Sequence, residues 1–174
     1  TLCGISGPMN APLHIFRMSP DGSNLKLIFN VARSTGGDQH PIGRFIDGGD
    51  GYYYGTAGQT LFKLKKDGTD YSVLRTFDGA PTYAAMADYA PILASDGKLY
   101  GIDNGGGQAR GGTIFTLARD GSGYKLLVDP DAGQLLPTAL VEGTDGKLYA
   151  FVQAGLVRYN KDGMDWLMLH EFGH

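Results

Sequence analysis

The sequence predicts an all-β chain, and three observations lead to this prediction. Glycine is abundant, with 28 of 174 residues, and Glu142 and Glu171 are the only glutamates among 18 acidic residues. Because Asp and Gly favour tight turns and Glu favours helices, this balance indicates many turns. Short apolar runs alternate with polar residues, as strands do. The third observation is an internal repeat of the same runs and turns along the chain.

Two recurring blocks define the repeat. The first occurs as DGYYYGT, DGKLYGI and DGKLYAF, which begin at Asp50, Asp96 and Asp145. The second occurs four times, as IFRMSPDGSNLKLIF, LFKLKKDGTDYSVLRTF, IFTLARDGSGYKLLV and LVRYNKDGMDWLMLHEF. The first blocks lie 46 and 49 residues apart. The repeats are therefore expected to cover approximately 1–36, 37–86, 87–134 and 135–174.

Each repeat predicts four antiparallel strands. A run that begins at a proline forms the first strand, in PIGRFI, PILA and PTALV. An Asp-Gly turn leads to the second strand, a loop to the third, and another Asp-Gly turn to the fourth. Asp-Gly between apolar runs is a strong hairpin signal and predicts a two-residue turn with positive φ at both residues. Repeat one begins at LCGI, which matches LYGI, so it lacks its first strand and fifteen strands are expected.

Four-stranded antiparallel units of this length are typical blades of a β-propeller. The sequence therefore predicts a single propeller, or propeller segment, over residues 1–174, whose first blade lacks its innermost strand. Leu25, Tyr71, Tyr124 and Trp166 share one register and are expected to pack between blades. An open inner edge invites pairing, so another chain, or the rest of a longer chain, is expected to complete the ring.

Residues 96–127, DGKLYGIDNGGGQARGGTIFTLARDGSGYKLL, closely resemble the GloVer-type tandem repeat of bacterial surface and secreted proteins. The likeness runs from Leu2 to Phe172 and includes the DG-x-LYG strand, a glycine-rich loop and a final strand ending in L-H-x-F. The DG-x-LYG strand is also similar to that of tachylectin-like propeller lectins, although this similarity rests on one strand. The resemblance implies a propeller that is secreted or lies at the cell surface.

One position departs from the repeat pattern. Cys3 stands where the other repeats have Tyr54, Tyr100 and Tyr149. Because it replaces a tyrosine of an inner strand, we expect a packed strand residue rather than a nucleophile. It is the single cysteine, so no internal disulfide can form.

The chain ends in LHEFGH, whose His170, Glu171 and His174 match the HExxH zinc motif. Counting from the hairpin aspartates, Phe172 aligns with Phe77, which places the motif on the fourth strand of the last blade. Residues four apart on a strand lie about 13 Å apart. One zinc ion, with bonds near 2 Å, cannot bridge them. The pattern therefore predicts no metal site, and no cofactor is predicted.

Charge and hydropathy exclude two classes of partner. The net charge of −3 and the pI of about 5.7 argue against a nucleic-acid partner, which needs a basic surface. No apolar run approaches the roughly 18 residues of a membrane span.

The loops of one face are predicted to bind a ligand. In a four-stranded meander, the short Asp-Gly turns leave from one face, and the longer, variable loops leave from the opposite face. Function on repeat scaffolds collects on such variable loops. We call this the loop face. Its candidate binding residues are Arg33, Asp38, His40, Tyr83, Asp88, Tyr89, Asp103, Asn104, Arg110, Gln134 and Gln153.

Two function classes remain open at this stage. The first is a non-catalytic extracellular recognition propeller that binds a glycan or a protein partner through the loop face. The alternative is a secreted propeller hydrolase or lyase with its site at the mouth of the central channel. Asp38, Asp88, Asp103 and His40 would then supply the acid and base that such chemistry needs.

Overall fold

A computed structural model describes residues 2–6, 13–31, 44–57, 59–77, 89–103, 112–128 and 137–173. Within these ranges the chain forms fifteen strands in four antiparallel sheets and no helix. The first sheet has three strands and the other sheets have four, each in chain order. The predicted all-β class, with a first sheet that lacks one strand, is confirmed. No helix in the described ranges is long and apolar enough to cross a membrane.

The four sheets are named blade 1 to blade 4 in chain order. Blade 1 contains β1 (Leu2–Ser6), β2 (Leu13–Met18) and β3 (Lys26–Val31). Blade 2 contains β4 (Arg44–Asp47), β5 (Tyr52–Ala57), β6 (Thr60–Lys65) and β7 (Ser72–Thr76). Blade 3 contains β8 (Ile92–Leu93), β9 (Leu99–Asp103), β10 (Thr113–Leu117) and β11 (Lys125–Val128). Blade 4 contains β12 (Ala139–Glu142), β13 (Leu148–Val152), β14 (Gly155–Tyr159) and β15 (Leu167–Glu171).

Each blade packs on its neighbour through an apolar interface. Ile15 of blade 1 packs with Phe62 and Leu64 of blade 2. The next interface contains Tyr54, Leu61, Phe77, Leu99, Phe115 and Leu117. The third contains Ala94, Tyr100, Ile114, Leu148, Ala150, Val152, Val157 and Tyr159. The core is therefore three separate layers between sheets, because each strand presents alternate side chains to its two neighbouring blades.

The register of large side chains predicted to pack between blades is confirmed at two positions. Tyr71 stacks on Phe29 with ring centroids 4.8 Å apart, and Tyr124 meets Phe77 at 6.3 Å. The expectation is wrong for Trp166, which is 51% exposed, and for Leu25, which is 68% exposed. Among the described residues, no sheet lies against the face of blade 1 that carries Leu25.

The Asp-Gly turns are built differently from the prediction. In the first, the N–H of Gly22 donates to the carbonyl of Ser19, and the N–H of Ser19 donates to the carbonyl of Ser23. Of the Asp-Gly pair, only Gly22 has positive φ, at 83°. This is a three-residue connection, in which a type I turn precedes a left-handed glycine. Asp21 accepts from the N–H of Ser23 at 2.9 Å, so the aspartate closes the turn with its side chain.

A β-bulge recurs at the same place in all four blades. The pairing of the last two strands of each blade slips by one residue beside Ile15, Leu61, Ile114 and Leu156. The skipped residues are Ile28, Leu74, Leu127 and Leu169. The first three turn into the interface with the next blade. A bulge thus supplies one apolar contact per interface.

The turn glycine of the following blade lies against each bulge. A Cβ atom on Gly121 would lie 2.9 Å from the carbonyl oxygen of Leu74. Gly68 lies against the carbonyl of Ile28, and Gly163 against that of Leu127, more closely still. Only a residue without a side chain fits there, and each glycine also has positive φ. We call this contact the glycine joint.

The innermost strands are β4, β8 and β12. Among the described strands β1 pairs only with β2, so none of them covers the edge where a fourth strand of blade 1 would pair. The predicted limits at 36/37, 86/87 and 134/135 lie outside the described residues and stay predictions.

Polar contacts join the blades at the face that carries the Asp-Gly turns. Arg119 of blade 3 donates to the Asp50 carboxylate of blade 2 at 3.0 Å. Glu142 of blade 4 accepts from the Ser95 hydroxyl of blade 3 at 2.6 Å and pairs with Lys161.

Candidate binding cleft on the loop face

A cleft of about 560 Å³ opens at the inner ends of blades 2, 3 and 4. Its walls come from the beginnings of β4 and β12, the end of β9, and the two residues 89 and 90 that precede β8. These ends all point to the loop face, because the Asp-Gly turns occupy the other ends of the same strands. The lining residues are Arg44, Tyr89, Ala90, Ile102, Thr138, Ala139 and Leu140.

The cleft combines one positive charge, one phenol ring and an apolar wall. Arg44 is exposed at the first position of β4, and none of the ion pairs among the described residues includes it. Tyr89 is half-buried, and its carbonyl accepts from the Thr56 hydroxyl at 3.3 Å. That bond fixes the Tyr89 backbone to the neighbouring blade. Ile102 is 2% exposed and supplies the apolar wall.

Thr138 closes the cleft on the side of blade 4. Its N–H donates to the carbonyl of Phe151 at 2.8 Å, which anchors the beginning of β12 to β13. Its hydroxyl lies 3.5 Å from the same carbonyl, at the limit of a hydrogen bond, so it can turn toward a ligand.

Three of the eleven predicted binding residues lie in the described part of the chain. Tyr89 lines the cleft. Asp103 ends β9 beside the cleft residue Ile102, is 5% exposed and pairs in register with Thr113. Gln153 is exposed in the turn between β13 and β14. The other eight lie outside the described residues: Arg33, Asp38, His40, Tyr83, Asp88, Asn104, Arg110 and Gln134.

The sequence reasoning did not select Arg44 or Thr138. Both lie just after the prolines that begin the first strands, in PIGRFI and PTALV, and these strands were treated only as scaffold. Their position in the repeat could have identified these two residues, because the beginning of an innermost strand lies next to both the channel and the loop face. Ala90, which lies just before the first strand of blade 3, also lines the cleft.

The residues that match the zinc motif lie on a strand as far as the structure describes them. His170 and Glu171 belong to β15, and His174 lies outside the described residues. The His170 ring contacts Phe172 edge-on, with centroids 5.4 Å apart. In the described ranges, no group of three or more His, Cys, Asp or Glu side chains is placed to hold a metal ion.

A second cleft, of about 400 Å³, lies between blades 1 and 2 near the Asp-Gly turns. Cys3 lines it, half-buried, with its Sγ 2.9 Å from the Tyr53 hydroxyl. Burial is the first cause that raises the pKa of Tyr53 to about 12, and the Cys3 contact is the second. Lys66 bonds Asp47 at 2.6 Å in the same wall. Cys3 contacts Tyr53 and Lys66 contacts Asp47, so these polar side chains already have partners within the wall of the second cleft.

Comparison with solved structures identifies the type of architecture. A streptogramin B lyase superposes with a TM-score of 0.65 at 15% identity, covering 96% of this chain. The fold is that of a β-propeller. The structure of a nidogen/laminin complex gives a TM-score of 0.61 at 14% identity over 94% of this chain. An oligogalacturonate lyase in complex with manganese gives 0.60 at 11% identity over 92%.

These propellers divide between binding and catalysis, and at such low identities they share only the architecture with this chain. The chain spans 54% of the streptogramin B lyase and 60% of the nidogen/laminin propeller chain, or little more than half of each. No protein-family profile and no curated protein sequence matches the chain. The GloVer resemblance therefore stays a prediction.

Proposed function

We propose that this propeller is a recognition module that binds a carboxylate-bearing glycan through its loop face. The observation that carries the proposal is the cleft formed by Arg44, Tyr89 and Thr138 at the inner ends of three blades. A guanidinium without an ion pair among the described residues suits a carboxylate, which it can bind in a bidentate manner. A phenol ring beside an apolar wall suits the flat face of a sugar ring.

The volume and the position of the cleft support the same proposal. A cleft of about 560 Å³ lies within the range of small-ligand sites and accommodates a short oligosaccharide. A composite site is favoured over one site per blade, because the cleft lining takes different residue types from blades 2, 3 and 4.

A glycan array with acidic and neutral oligosaccharides tests the proposal. We expect binding to glycans that carry uronate or sialate groups, with at least tenfold loss in Arg44→Ala and a smaller loss in Tyr89→Phe. Lys98→Ala is the matched control, because Lys98 is an exposed cation of blade 3 beside an Asp-Gly turn, on the face opposite the cleft. Binding that does not change in Arg44→Ala, or no binding to any acidic glycan, would contradict the proposal.

A propeller lyase or hydrolase is the second candidate, and one observation favours it. The Asp103 carboxylate is 5% exposed at the end of β9, next to a residue of the cleft wall. Buried carboxylates near ligand clefts are candidate acids or bases. Incubation of each bound glycan with the protein, followed by mass spectrometry, separates the two functions. Cleavage that is lost in Asp103→Asn supports the enzyme, and an intact ligand supports the recognition module.

We also infer that the protein acts outside the cell or at its surface. Only the resemblance to repeats of bacterial surface and secreted proteins supports this inference. Fractionation of the source cells with an antibody against the chain tests it, and recovery only from the cytoplasm would contradict it.

A further inference from the structure

The outer face of blade 4 has no neighbouring sheet among the described residues, and it repeats the chemistry of the interior. Val141, Phe151, Leu169 and Phe172 are 56%, 47%, 41% and 43% exposed. Phe151 and Phe172 stack on each other with ring centroids 6.3 Å apart. An apolar face that is already ordered by its own contacts is suited to a partner.

Each of these side chains corresponds to a packed residue elsewhere in the repeat. Counting from the Asp-Gly turns, Val141 corresponds to Ile46 and Ile92, which pack into the second and third interfaces. Leu169 corresponds to the bulge residues that pack against the next blade. Phe172 corresponds to Phe77, which is 3% exposed. The face is therefore an interface surface of the repeat that no described blade covers.

Blade 1 presents the complementary surface. Leu2 is 47% exposed and corresponds to Leu99 and Leu148, which are 0% exposed. Leu25 is 68% exposed and corresponds to Tyr71 and Tyr124, which pack against the preceding blade. The half-buried Phe16 covers Gly4, as the buried Phe115 covers Gly101. This face is the receiving side of the same interface, and no sheet among the described residues covers it.

Each end of the stack also carries one of the two residues that form a glycine joint. Gly22 has the left-handed φ of 83° that its counterparts have, but its Cβ direction meets nothing within 4 Å. Gly68, Gly121 and Gly163 each meet the carbonyl of a bulge residue. The bulge residue without a following glycine is Leu169. Gly22 and Leu169 are therefore the two halves of a fourth joint.

We propose that blade 4 of one copy docks head to tail on blade 1 of a second copy. Both surfaces belong to this chain and match three interfaces that it already forms. The chain spans 54% and 60% of two solved propeller chains, so two copies supply about one ring. A head-to-tail contact repeated twice closes into a two-fold ring. In that ring Leu25 packs on Phe172, as Tyr124 packs on Phe77.

Light scattering after gel filtration tests the docking. We expect a mass of twice the chain's 18.6 kDa. Leu25→Glu and Leu169→Glu each place a charge in both interfaces of the ring, so each variant alone should have the single-chain mass. Leu126→Glu is the matched control, because Leu126 is 39% exposed on blade 3 and lies on neither end face. It should keep the doubled mass.

Mixing the two interface variants distinguishes head-to-tail docking from other arrangements. The Leu25→Glu chain keeps an intact blade 4 face, and the Leu169→Glu chain keeps an intact blade 1 face. Together they should regain the doubled mass through one intact interface. A single-chain mass for the unmodified protein overturns the proposal. So does a dimer that Leu25→Glu leaves intact, because two blade 4 faces would then be paired. Far-UV circular dichroism confirms that each variant is folded.

Discussion

At the scale of single residues, three tyrosines perform the same task. Tyr54, Tyr100 and Tyr149 each donate a hydrogen bond to the carboxylate of the Asp-Gly turn four residues earlier, at 2.7, 2.8 and 3.0 Å. The side chain thus ties a strand to the turn that precedes it. Cys3 occupies the corresponding position in blade 1, and its Sγ contacts the Tyr53 hydroxyl instead.

Removing this tyrosine hydroxyl should lower the free energy of unfolding more inside the stack than at its end. Tyr100 is 1% exposed, whereas Tyr149 is half-buried on the outer face of blade 4. Tyr100→Phe leaves the Asp96 carboxylate without its buried donor, so we expect a loss of about 1–2 kcal/mol in unfolding free energy. Tyr149→Phe should cost under about 0.5 kcal/mol, since water replaces its donor. Urea denaturation measures both, and equal losses would contradict the account.

The contact of Glu142 with Lys161 and Ser95 should make stability depend on pH. Hydrogen bonds from Lys161 and then Ser95 lower the pKa of Glu142 to about 2. The folded state favours the ionised carboxylate, so its contribution is present above the unfolded pKa of about 4.5. It is lost as the pH falls from there to about 2.

Glu142→Gln should therefore destabilise the protein by about 1–2 kcal/mol at pH 7. The difference from the unmodified protein should shrink toward zero near pH 2. Glu171→Gln, which changes an exposed glutamate of the same blade, is the control and should leave the profile unchanged. Thermal melts from pH 7 to pH 2 measure the effect. A constant difference at every pH would show that the charge of Glu142 does not matter.

At the scale of elements, the sequence predicted the strands, which depend on local residues, and missed the features that depend on how strands pair. Alternation and Asp-Gly pairs were sufficient for the strands and their order. The turn type was wrong, because the side chain of Asp21 closes a longer connection, which the letters alone do not specify. The bulge beside Leu74 was not predicted, since a register slip exists only between two strands. Arg44 was missed because the tertiary arrangement, rather than a motif, places it in the cleft.

The glycine joint gives the element scale its own prediction. Ala at position 22 costs only the strain of a left-handed residue, about 1 kcal/mol, because nothing lies within 4 Å. Ala at position 68 adds a collision with the carbonyl of Ile28, for about 1–3 kcal/mol more. Urea denaturation of Gly22→Ala and Gly68→Ala in dilute solution measures the difference. Equal losses of unfolding free energy would mean that blades 1 and 2 move apart enough to avoid the collision.

At the scale of the molecule, the predicted stack of four sheets is confirmed, but the sequence did not show that its apolar end faces stay exposed. Leu25 and Tyr71 look equivalent in the repeat, and only the position of the blade distinguishes their environments. Most of the predicted binding residues lie outside the described part of the chain. The cleft is therefore formed by strand residues and by residues that directly precede a strand, such as Tyr89 and Thr138.

Hydrogen exchange should follow the position of each blade in the stack. Stability in repeat proteins is approximately a sum of unit and interface contributions. In the described part of the chain, blades 2 and 3 pack on both faces, blades 1 and 4 each pack on one face, and β1 pairs with one strand only. In dilute solution, amides of β1 should exchange fastest and those of β5 and β9 slowest. Mass spectrometry of peptides measures this order, and uniform protection would indicate one cooperative unit instead.

Each internal blade carries both halves of the glycine joint: a turn glycine for the blade before it and a bulged aliphatic residue for the blade after it. In evolutionary terms, a gene duplication that copies one whole repeat would insert a blade whose two joints already fit. A duplication of half a repeat would instead leave a glycine without its bulge, as Gly22 is at the beginning of this stack. Related chains are therefore expected to differ in length by whole blades.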